Sequence, residues 1–418
     1  MNNSDRETPA APGLSPPPRR LHPAPVLLDL SHTSHTQART GIQRVTRALL
    51  TELAARGLAR PITRDPYARR WRALDRWEQH ALTSTAGGRK RGAYWPWHAR
   101  LRGWLRRATA PSAKTLDAGT AHGLIVGELF SAPVGQALPA LLAQVAAPRI
   151  ALFHDAIALK FPELSAPKTA ARFPIYLQEL ARFDGIAAVS EDSRGTLIDY
   201  WRWLGLTDVP PVVAIPLGID LPTHTEPTAA ASTGTPTLLC VGTLEGRKNH
   251  LSLLDACERL WRDGRQFQLR LIGLAQSETG QKVVERIHAL QAAGHPLRYD
   301  GPVDEPTLTQ AYRDCHFTIY PSLMEGFGLP VLESLAHGKP CICSNRGALG
   351  ESAAGGGCLA LPQVDAPHLA EAIDTLLSQP ARHAALVAEA RRRTYKTWSA
   401  YTEELLAWMG TLPARKTG

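Results

Sequence analysis

Hydrophobic and polar positions in this chain follow two alternating rhythms. Short runs in which almost every residue is apolar occur at PVLLDL (25–30), GLIVG (123–127), RIALFHD (149–155), GIAAVS (185–190) and VVAIPL (212–217). A second series follows at TLLCVG (237–242), FQLRLIG (267–273), FTIYPS (317–322), PCICSN (340–345) and CLAL (358–361). Continuous apolar runs of this length predict strands covered on both faces. The stretches between them carry the three-to-four-residue repeat of amphipathic helices, one of them predicted over 42–55. Regular strand–helix–strand alternation predicts parallel, doubly wound sheets.

The two series are separated by Gly218–Pro236, where THTEPTAAASTGTP is rich in threonine, alanine and proline, the composition of a linker. The expected organisation is therefore an α/β chain of two domains, 26–217 and 237–395, joined by 218–236. The segment 396–418 is expected to carry a final helix, Trp398 to Met409, that crosses back to the first domain. At 418 residues the chain suits two such domains. Residues 1–25 lack the apolar core of a secretion signal and read as a disordered, proline-rich leader. No run of 18 apolar residues occurs, so a cytoplasmic protein is expected, if anything peripheral to a membrane. All six cysteines fall between Cys240 and Cys358 without a CxxC pair, and reduced, buried thiols are expected.

Charge breaks the uniformity. The chain carries a net +9, yet Arg60–Arg107 alone holds thirteen Lys/Arg against three Asp/Glu. The same segment holds Trp71, Trp77, Trp95, Trp97 and Trp104, half of the ten tryptophans. Residues 60–120 therefore look like a basic, aromatic insert that interrupts the alternation. It could rest on anionic lipid headgroups through 60–107, or recognise an anionic glycan or pyrophosphate acceptor. It could bind nucleic acid, the partner least expected, or simply pack its tryptophans on the first sheet.

Four motifs carry chemistry, each at the carboxyl end of a predicted strand, where ligands bind in doubly wound sheets. In Glu325-Gly-Phe-Gly-Leu-Pro-Val-Leu-Glu333 a glycine loop enters a helix near Leu329, so that backbone N–H groups are offered to a phosphate. Glu325 and Glu333 could accept bonds from sugar or ribose hydroxyls, or merely cap and solvate the helix. In Val-Gly242-Thr243-Leu-Glu-Gly-Arg247-Lys248-Asn-His, Gly242 permits a tight strand exit and two cations stand at the next helix start, where they would neutralise a leaving diphosphate. His154-Asp155 ends the strand at 149–155. Thr40-Gly41 precedes the first amphipathic helix, while His32 and His35 before it lack a third metal ligand at suitable spacing.

The stretch YPSLMEGFGLPVLESLAHGKPCICSNRGALGE resembles the donor-site signature of the retaining GT-B glycosyltransferases of family four, known as glycosyltransferase group 1. The Arg-Thr-Gly-Ile-Gln-Arg stretch resembles bacterial mannosyl- and rhamnosyltransferases of surface polysaccharide assembly. The resemblance implies two Rossmann-like domains facing across a cleft. It implies that a hexose, with mannose from GDP-mannose favoured, passes to a glycan or lipid-linked acceptor. By resemblance Glu325 contacts the transferred sugar, Glu333 the ribose, and the amides of Phe327, Gly328 and Leu329 the diphosphate or sugar. His154 supports the sugar and transition state, and Asp155 orients it or binds acceptor. Arg247, Lys248, Gly242, Thr243 and Gly41 lie near the phosphates, and Gly273 and Val303 near the base. Thr243 stands where many members carry an arginine. No Asp-x-Asp occurs, and no metal or other cofactor is expected. A non-catalytic nucleotide-sugar scaffold, or another nucleotide-sugar enzyme of the same fold, are the alternatives.

Overall fold

The computed structural model describes residues 25–36, 41–83, 93–109, 121–222, 234–277, 279–413 and 415. The expected leader lies outside the described residues up to position 24, as do Thr40, much of the linker and two parts of the insert.

Two sheets form, each mostly from the apolar runs. The first contains β1 (Val26–Asp29), β2 (Ala59–Asp65), β3 (Arg70–Ala73), β4 (Leu124–Val126), β5 (Arg149–Phe153), β6 (Gly185–Ala188) and β7 (Val212–Ala214). Its order is β3-β2-β1-β4-β5-β6-β7. The second contains β8 (Thr237–Val241), β9 (Gln268–Ile272), β10 (Leu297–Tyr299), β11 (Phe317–Tyr320), β12 (Cys341–Ser344) and β13 (Cys358–Leu361), in the order β10-β9-β8-β11-β12-β13. β1, β4, β5 and β6 are buried residue for residue, as strands covered by helices on both faces must be.

The basic insert does more than interrupt this pattern. It supplies β2 and β3, and their antiparallel pairing makes the first sheet mixed rather than wholly parallel. Asp65 Oδ1 accepts the amides of Tyr67 and Ala68 at 3.0 and 2.9 Å, and Arg69 adopts φ 53°, closing the turn between the two strands. Arg60 and Arg64 in β2, and Arg70 and Arg72 in β3, disguise both strands in the sequence. A buried network explains the charges: Arg72 pairs with Asp65 (2.9 Å) and Glu78 (2.7 Å), and Glu78 bonds His35 Nε2 (2.7 Å). His35, stacked on Trp95 at 4.0 Å between ring centres, is thus a structural residue.

The terminal helix Trp398–Met409 packs Trp398, Tyr401, Leu405 and Met409 into a cluster with Val26, Leu49 and Leu53 of the first domain. Its approach is fixed where the Ile219 amide donates to the Lys396 carbonyl at 2.9 Å. The same cluster takes in Leu329 and Leu332 of the second domain, so apolar contact spans the two halves. All six cysteines are free, five buried and Cys358 half-buried.

Candidate active site

A cleft of about 560 Å3 opens between the carboxyl ends of the two sheets, within the size range of small-molecule sites. Its second-domain wall is built on β8 and β11. The residues after β8 do not enter the next helix directly. Gly246–Lys248 forms a single 3-10 turn, Asn249 is left-handed at φ 55°, and only then does the helix His250–Arg262 begin. Arg247 and Lys248 thus precede the helix instead of starting it, and this turn aims both side chains at the loop after β11.

There they meet Glu325. Lys248 Nζ donates to Glu325 Oε1 at 2.5 Å and to the Tyr320 hydroxyl, and lies 4.5 Å from the centre of the Tyr320 ring. Arg247 pairs with Glu325 Oε2 at 2.8 Å and Glu245 at 2.7 Å. The cations expected to meet phosphate and the carboxylate expected to meet sugar therefore form one buried cluster. Burial alone would raise the Glu325 carboxyl, but Arg247 and Lys248 outweigh it and hold it at about 2. Burial lowers the Lys248 ammonium below its usual value, partly offset by Glu325. Glu325 stays ionised, and the two cations beside it are met by two carboxylates, Glu325 and Glu245.

The loop that carries Glu325 is held against the first domain by glycine. A Cβ on Gly326 would overlap the His154 carbonyl oxygen. Gly328, at φ 109°, ends the loop and caps the helix Leu329–Ala336. The Phe327 carbonyl accepts from Ser352 Oγ at 2.7 Å. Phe327, Gly328 and Leu329 all line the cleft, with the helix start offered to it. Glu333, one turn further on, is not free for a ribose: it pairs with Arg44 (2.5 Å) and accepts from the Tyr312 hydroxyl (3.1 Å). Arg44 comes from the first domain's helix Gly41–Ala55, so this ion pair bridges the cleft.

His154 is buried at the end of β5. Its Nε2 lies 2.8 Å from the Gly127 carbonyl, which can only accept, so the ring proton sits on Nε2. Burial lowers its pKa, the Gly127 bond opposing, and the neutral ring keeps a bare Nδ1 able to accept from a hydroxyl. Asp155 does not orient it: Asp155 Oδ1 accepts the Ile157 amide at 3.0 Å, and Gly127 does the orienting. Gly41, Thr243, Gly273 and Val303 line the cleft as well. Gly242 has ordinary room for a Cβ beside Lys248 and Tyr320. The glycine that tight packing demands is Gly273, at φ 150°, where a Cβ would overlap the Gly242 carbonyl.

Sequence reasoning missed Arg44, Tyr320 and Glu245. Arg44 stood within the quoted Arg-Thr-Gly-Ile-Gln-Arg stretch, but its partner lies 289 positions away on another domain. Also missed were Asp29 and Glu128, buried together beneath the cleft's first-domain wall. Glu128 accepts the amides of His32 and Thr33 at 2.9 Å each, holding the loop that leads toward Gly41. Among the described residues no group of three or more His, Cys, Asp or Glu could hold a metal ion.

Two parallel-sheet domains facing across a cleft define the GT-B class of glycosyltransferase folds. Sucrose-phosphate synthase from Thermosynechococcus elongatus superimposes with a TM-score of 0.64 at 19% identity, over 92% of this chain and 98% of that one. Residues 225–393 match the family of glycosyl transferases group 1. The serotype-specific mannosyltransferase WbdA of Escherichia coli is 27% identical over 343 residues, 77% of this chain. A GDP-mannose-dependent alpha-(1-6)-phosphatidylinositol dimannoside mannosyltransferase of Mycobacterium tuberculosis is 30% identical over 209 residues, 48% of this chain and 52% of its own length. Residues 225–393 thus form a domain of the glycosyl transferases group 1 kind. The chain spans only 39% of the length of WbdA.

Proposed function

We propose that the chain is a retaining hexosyltransferase that draws mannose from GDP-mannose and places it on a growing surface glycan or a lipid-linked oligosaccharide. The observation that carries this reading is the buried Arg247–Lys248–Glu325 cluster facing neutral His154 across one cleft. Mannose is favoured because WbdA and the mycobacterial relative are mannosyltransferases, the latter GDP-mannose-dependent.

The chemistry follows from the charges. As the bond from the sugar's anomeric carbon to the diphosphate oxygen breaks, negative charge collects on the diphosphate. Arg247, Lys248 and the amides at the start of the helix Leu329–Ala336 stabilise it there. The acceptor oxygen bonds to the anomeric carbon on the face the diphosphate leaves, and its proton passes to the departing diphosphate. Glu325 is a poor covalent nucleophile, since two cations hold its carboxylate at about 2. It is instead a hydrogen-bond acceptor for sugar hydroxyls, as His154 Nδ1 is on the opposite wall. Glu333 would reach the ribose once Arg44 gives way.

The test is a panel of nucleotide sugars read by release of nucleoside diphosphate, with and without a lipid-linked acceptor, and with the anomeric configuration of the product assigned by NMR. GDP-mannose is expected to be consumed fastest, with retention, and turnover is expected to survive a chelator. Release from no donor would leave the chain a scaffold, and an inverted product would overturn the retaining mechanism.

A further inference from the structure

Among the described residues, the helix Trp97–Thr109 is attached to the first domain by one face only. On that face Ala99 is buried, and a Cβ on Gly103 would come within 2.7 Å of Tyr67. Arg106 makes two bonds to Asp75, at 2.8 and 3.0 Å. Helical spacing sends positions 97, 101, 104 and 105 to the other side. There Trp97 is 75% exposed, Leu101 53%, Trp104 66% and Leu105 58%, with Tyr94 at 66% just ahead of the helix. These are five of the twelve large apolar side chains exposed among the described residues, gathered on one convex face.

The borders of the stripe are cationic. Arg100 and Arg107 flank it on one side, Arg102 on the other. No Asp or Glu occurs in the sequence between positions 79 and 116. We infer that this face docks on an anionic lipid surface, with the indoles at headgroup depth, the leucines below them and the arginines reaching lipid phosphates. The charge pattern selects this occupant. A second copy of the chain would set arginine against arginine. Nucleic acid would engage the arginines but leave Leu101 and Leu105 facing water.

The anchorage of the helix ties the docked surface to a segment that leads to the cleft. Trp95, buried just before the helix, stacks on His35, and the Tyr94 amide donates to the His35 carbonyl at 2.8 Å. His35 belongs to the segment that leads from β1 toward Gly41 at the cleft wall. A bilayer docked on the helix would thus be tied, through this segment, to the first-domain wall of the cleft. The docking gives a physical means for the acceptor class proposed above, but stands or falls separately from the reaction.

The experiment is flotation of the full-length protein with phosphatidylcholine vesicles, with and without phosphatidylglycerol, at low and high salt. Binding is expected only to the anionic vesicles, weakened at least tenfold at high salt. The double variant Trp97→Ser/Trp104→Ser alters exposed positions, so its melting temperature and vesicle-free donor hydrolysis should match the parent while its binding falls at least tenfold. Arg102→Glu/Arg107→Glu should lose the preference for anionic lipid. The inference is overturned if the parent does not float, or if the tryptophan variant floats equally well. It is also overturned if that variant instead abolishes a dimer or retention on duplex DNA. Intact flotation with no sugar transfer would sink the proposed reaction and leave the docking standing.

Discussion

At the scale of single residues, the site depends on charges that are buried together. Lys248 is the sharpest case, since it is lodged between Tyr320 and Glu325 and serves no exposed partner. Lys248→Met keeps the volume but removes the charge that would meet a leaving diphosphate. Turnover is expected to fall about a hundredfold or more, with weaker donor binding. Unchanged nucleotide release and donor affinity would remove Lys248 from the mechanism. Asp29 is a second case. Burial, reinforced by neighbouring Glu128, raises its carboxyl from 3.8 to about 7. A raised carboxyl contributes stability that is complete below the unfolded value of 3.8 and is lost as pH climbs through about 7. Asp29→Asn has no such proton to lose, so its melting temperature should fall less than the parent's between pH 4.5 and 8. Parallel melting curves across that range would contradict the assignment.

At the scale of elements, the legible and the hidden parts differ for a physical reason. Ten of the strands announce themselves as short apolar runs, most plainly β1, β4, β5 and β6, where both faces are covered and every position is buried. β3 is an edge strand and β2 its neighbour; Arg72 of β3 is satisfied by a buried ion network with Asp65 and Glu78, and no local pattern distinguishes such a strand from a solvated basic stretch. The glycine loop after β11 was legible, since the strand and the helix start bracket it. That Gly326 is pressed against the end of β5 was not, because contact between domains leaves no periodic trace. Gly326→Ala tests that contact directly. The new methyl overlaps the His154 carbonyl oxygen, so the loop must retreat from β5 or the halves must part. Loss of turnover by tenfold or more is expected, along with a larger radius of gyration in solution scattering. A variant that stays as compact and as active as the parent would show that the approach is dispensable.

At the scale of the whole molecule, the two halves meet through polar contacts as well as the shared apolar cluster. Arg44 reaches Glu333, and Glu351 of the second domain accepts the amides of Glu191 and Asp192, at 2.9 and 2.7 Å, at the start of the first domain's helix Glu191–Trp203. Such a borrowed cap is worth about 1 kcal/mol, and it exists only while the halves are together. Glu351→Ala should therefore raise the donor KM about fivefold, with turnover at saturating donor within twofold of the parent, since donor still drives closure. Equal loss in both constants would mean that Glu351 acts on the chemical step instead. The placement of the halves was out of reach of sequence patterns for the same reason that Arg44 was: its partner is chosen by the closed arrangement.

The amides of Glu191 and Asp192 also provide a clock for that motion. With the carboxylate of Glu351 in place their protons are hydrogen-bonded; were the halves to swing apart, water would reach them and deuterium could enter. Exchange at two neighbouring backbone sites, far in sequence from any residue that touches sugar, would then count openings one by one, and a tightly held substrate analogue should slow the count.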